Sequence, residues 1–334
     1  MSGVKILDCT LRDGAHINKG KFGKENISLI LQKLAEAKID LIETGFLQNT
    51  IFDKDSSIFD SIDYVDKILE DIDKSESKFG VMLRTDRCDF EKIKKTKNID
   101  FIRIALYKEH LDDVKRYALK AKDLGYSVYL NPIGVTKYSL EEIKNILEDL
   151  IALNPQGISI VDTFGSLTSE DFSKFLLLFD QKIPKNIEIG IHLHENLSSS
   201  LSLALQAVAT LSHRNIIIDS SVLGMGRIPG NLPTELLASH LKNSQYNIDS
   251  LYSLIDIVKE YKKINEWGYN PIYVHSAIIN IDRTYPEYFF EQGFSTSDNI
   301  KLQKLIKENN YGEKFNSVYA QEVILKYEIR ADNI

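Results

Sequence analysis

The chain has 334 residues, 43% hydrophobic and 27% charged, enough for one large α/β domain with an appendage or for two medium domains. Its 41 basic and 48 acidic residues leave a net charge of −7 with no basic block, which argues against nucleic-acid and anionic-membrane partners. Two cysteines without a CxxC pair exclude a disulfide framework and a cysteine-built zinc site. With no basic-plus-apolar leader and no run near the ~20 apolar residues of a membrane helix, a cytoplasmic protein is expected.

Apolar, β-branched runs predict strands near Val4–Cys9, Leu41–Gly45, Phe79–Leu83, Phe101–Leu106, Ser127–Leu130, Ile158–Asp162, Ile187–His194 and Ile216–Val222. Amphipathic segments separate them, among them Ile27–Ala37, Leu111–Leu124, Leu140–Leu153 and Leu197–Leu211. In the first, Ile27, Ile30, Leu31 and Leu34 have the spacing of one helix face. Gly125 follows the second, where a helix C-terminus favours a residue tolerant of positive φ. Eight strand–helix units in about 245 residues match a TIM (β/α)8 barrel. A doubly wound open sheet is the rival. Every candidate site residue, however, falls at the C-terminal end of a strand, from the first strand to the last, and only closure brings those two together. The expected division is a barrel over 1–244 and a Tyr- and Lys-rich C-terminal helical region over 245–334. Its helices are expected near Ile248–Glu266, Ile272–Asn280, Asp298–Glu308 and Val318–Lys326.

The first strand runs into Leu11-Arg12-Asp13-Gly14-Ala15-His16, which sets a guanidinium, a carboxylate and an imidazole within five residues. Far downstream lies Ile191-His192-Leu193-His194. Side chains two apart on a strand share a face, so His192 and His194 can hold one cation while Leu193 packs the other way. With Asp13 they form a two-imidazole, one-carboxylate set suited to a divalent cation with positions left for substrate oxygens. The bland alternative is a satisfied histidine pair beside a capping aspartate. Arg12 is either an ordinary ion-paired arginine or the group that holds a carboxylate or an enolate oxygen. His16, ordinarily titrating near neutrality, is the natural general base if it is not an idle loop residue.

Glu43 and the Asp162-Thr163 pair close strands and read either as supports of the site or as buried ion-pair members. Arg84 and Asn131 are further candidates for the pocket, whereas Arg103, in mid-strand, reads as structural. Asn231, in Gly224-Met225-Gly226-Arg227-Ile228-Pro229-Gly230-Asn231, either caps the next helix or turns toward the cation. His110, His213 and His240 read as structural. Cys9 reads as buried, and Cys88 as exposed or half-buried.

Together, Thr10-Leu11-Arg12-Asp13-Gly14, Ile42-Glu43-Thr44-Gly45, Val161-Asp162-Thr163-Phe164-Gly165, His192-Leu193-His194-Glu195-Asn196 and Asp219–Gly226 resemble the DRE-TIM metallolyase superfamily, with its pyruvate carboxyltransferase-type barrel. The match spans Val4 to about Leu241. Claisen-type condensing enzymes usually carry Glu-Gln after Arg-Asp-Gly. Hydroxymethylglutaryl-CoA lyases tend to carry Leu-Gln and a cysteine in the glycine-rich loop. Ala15-His16 and a cysteine-free loop look instead like the 4-hydroxy-2-oxovalerate aldolase branch.

The resemblance implies a class II aldolase, a lyase joining or cleaving pyruvate and an aldehyde. Asp13, His192 and His194 would hold the metal, manganese or magnesium before cobalt or zinc. Arg12 would stabilise the enolate and His16 would act as the base. Thr163 would lie near the pyruvate carboxylate, Glu43 would serve on the substrate side with Arg12, and Tyr269 would be the tyrosine this branch brings from its C-terminal region. A Claisen-type acyl-CoA condensing enzyme, a hydroxymethylglutaryl-CoA lyase-like enzyme and a non-catalytic barrel are the competing readings. A homodimer is suggested by the Tyr-rich appendage. The aldehyde and any aldehyde dehydrogenase partner are left open, because Thr44–Asn49 and Asn131–Gly134 depart from the aldolase pattern.

Overall fold

A computed structural model describes residues 3–241 and 245–331. Nine strands are present among these: β1 Val4–Asp8, β2 Leu41–Leu47, β3 Ile58–Phe59, β4 Lys78–Arg84, β5 Phe101–Leu106, β6 Ser127–Pro132, β7 Gly157–Val161, β8 Glu188–His192 and β9 Ile216–Ser220. All pair in parallel in the order β1-β9-β8-β7-β6-β5-β4-β2, and β1 pairs back onto β2 through Leu7–Leu41 and Asp8–Ile42. The eight long strands therefore close a TIM barrel. The unexpected strand is β3, two residues beside the end of β2.

Parallel strands need crossovers, and the helices supply them by burying one apolar stripe each. Helix Lys24–Glu36 buries Ile27, Ile30, Leu31 and Leu34, the face expected. Helix Leu140–Ala152 buries Ile143, Ile146, Leu147 and Leu150. It begins at a capping box in which Ser139 and Glu142 satisfy each other's backbone N–H. Gly125 takes φ +88° just past helix Leu111–Asp123, as a C-terminal turn requires.

Strand alternation stacks the barrel interior in layers. Near the bottom Lys5 pairs with Glu188 at 2.5 Å. Above it sits an apolar plug of Leu7, Cys9, Leu41, Phe101, Tyr129 and Ile217. Higher still, the inward positions become charged at Glu43, Arg103 and Asp219, all buried. The mouth opens above that layer, at the C-terminal strand ends.

The boundary expected at 244 falls on residues outside those described, and packing puts the division later. Helix Ile248–Ile264 lies against helix Lys24–Glu36, and its Leu251, Leu254 and Val258 join the barrel's core, as does Trp267. A second core begins beyond, built on Ile281, Tyr285, Phe289, Leu302, Ile306 and Val323. It is made by helices Pro271–Ile278, Thr284–Glu291, Thr296–Glu308 and Ser317–Ala331. Thr284–Glu291 was not expected, being aromatic-rich and holding Pro286. A proline in the first turn loses no intrahelical bond, so the helix tolerates it. Cys88 is buried like Cys9, which corrects the exposed reading.

Candidate active site

Directly after β1 the chain turns through a short helix, Thr10–Asp13. Asp8 accepts from the Thr10 N–H at 2.9 Å, and the Thr10 hydroxyl accepts from Val222 N at 2.8 Å, tying the turn to the loop after β9. That turn delivers Arg12 and Asp13 to the mouth. His192 ends β8, and His194 bridges to Asn231 just beyond it.

The ligand atoms of Asp13, His192 and His194 all lie within 4.8 Å of one another, and all three residues are buried. His192 Nδ1 lies 2.9 Å from Asp219 Oδ2, and His194 Nδ1 lies 2.8 Å from the Asp162 carbonyl oxygen. With each Nδ1–H donating outward, each Nε2 keeps its lone pair for a cation. Asn231 donates to Asp13 Oδ2 at 2.5 Å, while its Oδ1 is buried without a partner. Two neutral imidazoles, one carboxylate and an orphaned amide oxygen fit a divalent cation. The glycine-rich loop is fitted to this cluster: a Cβ at Gly226 would meet Asn231 Nδ2 at 2.4 Å and Asp13 Oδ2 at 2.8 Å.

Beneath the cluster runs a chain of alternating charge. Arg12 Nε donates to Glu43 Oε2 at 2.8 Å and Nη1 to Asp13 Oδ1 at 2.5 Å. Glu43 Oε2 lies 3.1 Å from Arg103 Nη1, and Arg103 Nη2 donates to Asp219 Oδ2 at 2.6 Å. Asp219 then meets His192. Each buried ion thus has opposite charge beside it, as burial demands. Burial opposes the charge on Asp13, but the Arg12 guanidinium beside it holds its carboxyl well below the usual range. Asp219 is likewise lowered, Arg103 and His192 outweighing burial. Burial alone drives Asp162 the other way, up to about 6.

His16 stands with Nε2 3.9 Å from Asp13 Oδ1, its ring edge-on to Phe46 and its side chain 40% exposed at the opening. Enclosure by the protein at the lip of the mouth, with the charges of Arg227, Arg283 and Arg12, lowers its pKa against the opposing pull of Asp13, which favours the uncharged form a base needs. Arg12, Asp13, His16, Thr163, His192 and His194 all border one cavity of about 240 Å³, as do Arg84 and Asn131. Glu43 does not border it: its carboxylate is spent on Arg12 and Arg103, and so it positions Arg12 rather than facing the cavity.

Tyr269 is a correction. It is 72% exposed and borders no part of the cavity. Trp267, two residues earlier, takes the buried place, its indole N–H donating to Leu223 O at 3.0 Å. Gly268 N–H bonds Pro229 O, and the chain then turns outward at Tyr269. From the C-terminal region it is Arg283 that reaches the mouth. Neither Arg283 nor the Asp219–Arg103 link was foreseen. Arg227 lay in a loop already singled out, but Arg283 carried no local signal.

A β/α barrel that gathers an aspartate, an arginine and three histidines at its C-terminal mouth has the layout of an enzyme active site. The HMGL-like family profile matches residues 3–262, and the chain belongs to that family. It is 25% identical to 4-hydroxy-2-oxovalerate aldolase of Bacillus cereus over 263 residues, 77% of this chain and 75% of that protein. In fold it is similar to the N-terminal domain of a Bacteroides vulgatus protein assigned as an aldolase, with TM-score 0.75 and 24% identity over 89% of this chain and 99% of that one. The carboxyl transferase domain of Rhizobium etli pyruvate carboxylase, at 13% identity and TM-score 0.72, covers 100% of this chain, C-terminal helices included, and 61% of its own length. The protein is a carbon–carbon lyase of the DRE-TIM superfamily, on the aldolase side of it. No helix among the described residues is long and apolar enough to cross a membrane.

Proposed function

We propose that this lyase is a divalent-metal-dependent aldolase that makes or breaks the bond between C3 of pyruvate and the carbonyl carbon of an aldehyde. The observation that carries the reading is the convergence of Asp13, His192 and His194 within 4.8 Å, with His16 3.9 Å from the same carboxylate. Asp13, His192 and His194 would hold the cation, Mn2+ or Mg2+ before Co2+ or Zn2+, and it would supply Lewis-acid polarisation of the keto group. Arg12, held from behind by Glu43, directs fixed positive charge at the oxygen on which the enolate develops. In cleavage, His16 takes the proton of the C4 hydroxyl. The C3–C4 bond breaks, its electron pair enters the enolate, the aldehyde carbonyl forms, and the enolate then takes a proton at C3 from solvent at the open mouth to leave pyruvate. In condensation the same proton returns. Thr163 borders the pocket where the pyruvate carboxylate would lie, though its hydroxyl already accepts from Gly134 N at 2.8 Å.

The decisive experiment is deuterium exchange into the pyruvate methyl group in D2O, followed by mass spectrometry, with and without added metal. Metal-dependent exchange with no aldehyde present is the expected result. Exchange indifferent to metal and to Asp13→Ala would sink the reading.

A further inference from the structure

The cavity has a charge imbalance that the aldol chemistry above does not use. Five guanidinium groups border it, those of Arg12, Arg84, Arg87, Arg227 and Arg283, against one carboxylate, Asp13. Some of that charge is committed. Arg12 is held by Asp13 and Glu43, and Arg84 grips Asp86 through two bonds of 2.9 and 2.6 Å. Arg227 donates to Thr284 at 2.6 Å and Glu287 at 3.2 Å. Arg283 has nothing comparable. It is 4% exposed, and no carboxylate among the described residues lies within the 4.0 Å of an ion pair. Its Nε is buried without a partner, and among the described residues its side chain makes one hydrogen bond, a long 3.4 Å donation to the Arg227 carbonyl. Burial, with the neighbouring charge of Arg227, pushes its pKa down to about 9 against the more distant attraction of Asp13, Glu287 and Asp282.

Burying a cation without an ion-pair partner is costly, and an arriving anion would offset that cost. The location says which half of the reaction brings it. Arg227 and Arg283 line the same cavity as His16. The group that exchanges a proton with His16 is the hydroxyl derived from the aldehyde carbonyl.

We propose that Arg283, with Arg227 beside it, is a specificity determinant that binds an oxyanion on the aldehyde partner, so that the acceptor is a short aldehyde bearing a carboxylate or a phosphate. The inference rests on the aldolase reading and names the substrate class for the same site. The guanidinium fork matches either oxyanion bidentately. The anionic group takes no part in bond making; it orients the carbonyl toward the enolate.

The test compares matched acceptors with the manganese-loaded full chain: succinic semialdehyde against butanal, and glyceraldehyde 3-phosphate against glyceraldehyde. Product formation is followed by NMR. At least one anionic acceptor is expected to exceed its neutral counterpart in kcat/KM by about 30- to 100-fold, the worth of a hydrogen bond to a charged group. The pair that shows the preference tells carboxylate from phosphate. Arg283→Gln should bring the anionic-to-neutral ratio of kcat/KM toward one, whatever happens to the absolute rates, and Arg283→Lys should restore part of it. Calorimetric binding of succinate and of glycerol 3-phosphate reads the same site without turnover, and Arg283→Gln should weaken the tighter of the two. Equal kcat/KM within both pairs, or anion binding unchanged by Arg283→Gln, overturns the inference. Deuterium exchange into pyruvate without aldehyde separates the two ideas: exchange persisting beside absent acceptor preference would leave the aldolase reading standing and this one refuted.

Discussion

Asp219 on β9 holds His192 on the neighbouring strand β8 through a 2.9 Å contact between Oδ2 and Nδ1. The same oxygen accepts from Arg103 at 2.6 Å, so one carboxylate orients the His192 imidazole and ends the buried charge chain that begins at Arg12. The histidine's tautomer, and with it the availability of Nε2, depends on that acceptor.

Asp219→Asn should therefore weaken metal binding without removing a ligand. The amide can present a donor where an acceptor is needed, and such outer partners are typically worth about 10–100-fold in metal affinity. Competition with a chelator, measured beside Asp13→Ala, would show graded loss in the first and near-complete loss in the second. Affinity unchanged in Asp219→Asn would mean that the contact is only structural.

His16 and Arg12 should separate kinetically. A positioned base contributes about 10²–10⁴-fold. His16→Ala is expected to lose aldol cleavage by that factor while retaining metal and metal-dependent pyruvate exchange. Arg12→Lys should slow exchange itself, because lysine cannot bridge Glu43 and Asp13 and still present charge to the pocket. Cleavage by His16→Ala within a few-fold of wild type would require another base.

Tyr269→Phe should turn over within about twofold of wild type, since the ring is 72% exposed and outside the cavity. Trp267→Ala should be costly instead, about 3–5 kcal/mol of stability, because it removes a buried indole and leaves Leu223 O without its donor. Urea unfolding of the two variants discriminates them directly.

Asp8 makes a pH prediction outside the Asp13, His192 and His194 cluster. Burial pushes its carboxyl from 3.8 up to about 6, against the opposing hydrogen bonds from Thr234 and Thr10. The protonated form is thus favoured by the fold. Its stabilising effect is complete below the ordinary value of 3.8 and is lost as pH rises through about 6. Asp8→Asn keeps the shape and removes the titration. Between about pH 4.5 and 7.5, wild type should lose about 2 kcal/mol of stability relative to the variant. Parallel urea-unfolding curves at the two pH values would contradict the assignment.

The barrel was legible locally because strand and helix periodicities are written into neighbouring residues. Ile27, Ile30, Leu31 and Leu34 declare one helix face wherever that helix ends up. The cluster of Asp13, His192 and His194 was legible for a related reason. Each of the three lies at or just past the C-terminal end of a strand, and a closed parallel barrel carries every such end to one mouth. Asn231 was found but left undecided, since capping and site roles share the same residue type; only its 2.5 Å contact with Asp13 separates them.

Other features had no local signature. Arg103 looks structural in mid-strand, and its link from Glu43 to Asp219 exists only once β2, β5 and β9 face one another across the barrel. Trp267 and Tyr269 are two aromatic residues in one turn, and which of them is buried was decided by the barrel surface formed by Leu223 and Pro229, not by the turn itself. Arg283 lies outside the HMGL-like match and within a helical region whose own core, from Ile281 to Val323, determines where that arginine points. Periodicity specifies which face of an element is apolar. Which side chain then enters another domain's cavity follows from packing between segments hundreds of residues apart, and for this protein that packing put an unpaired cation beside His16.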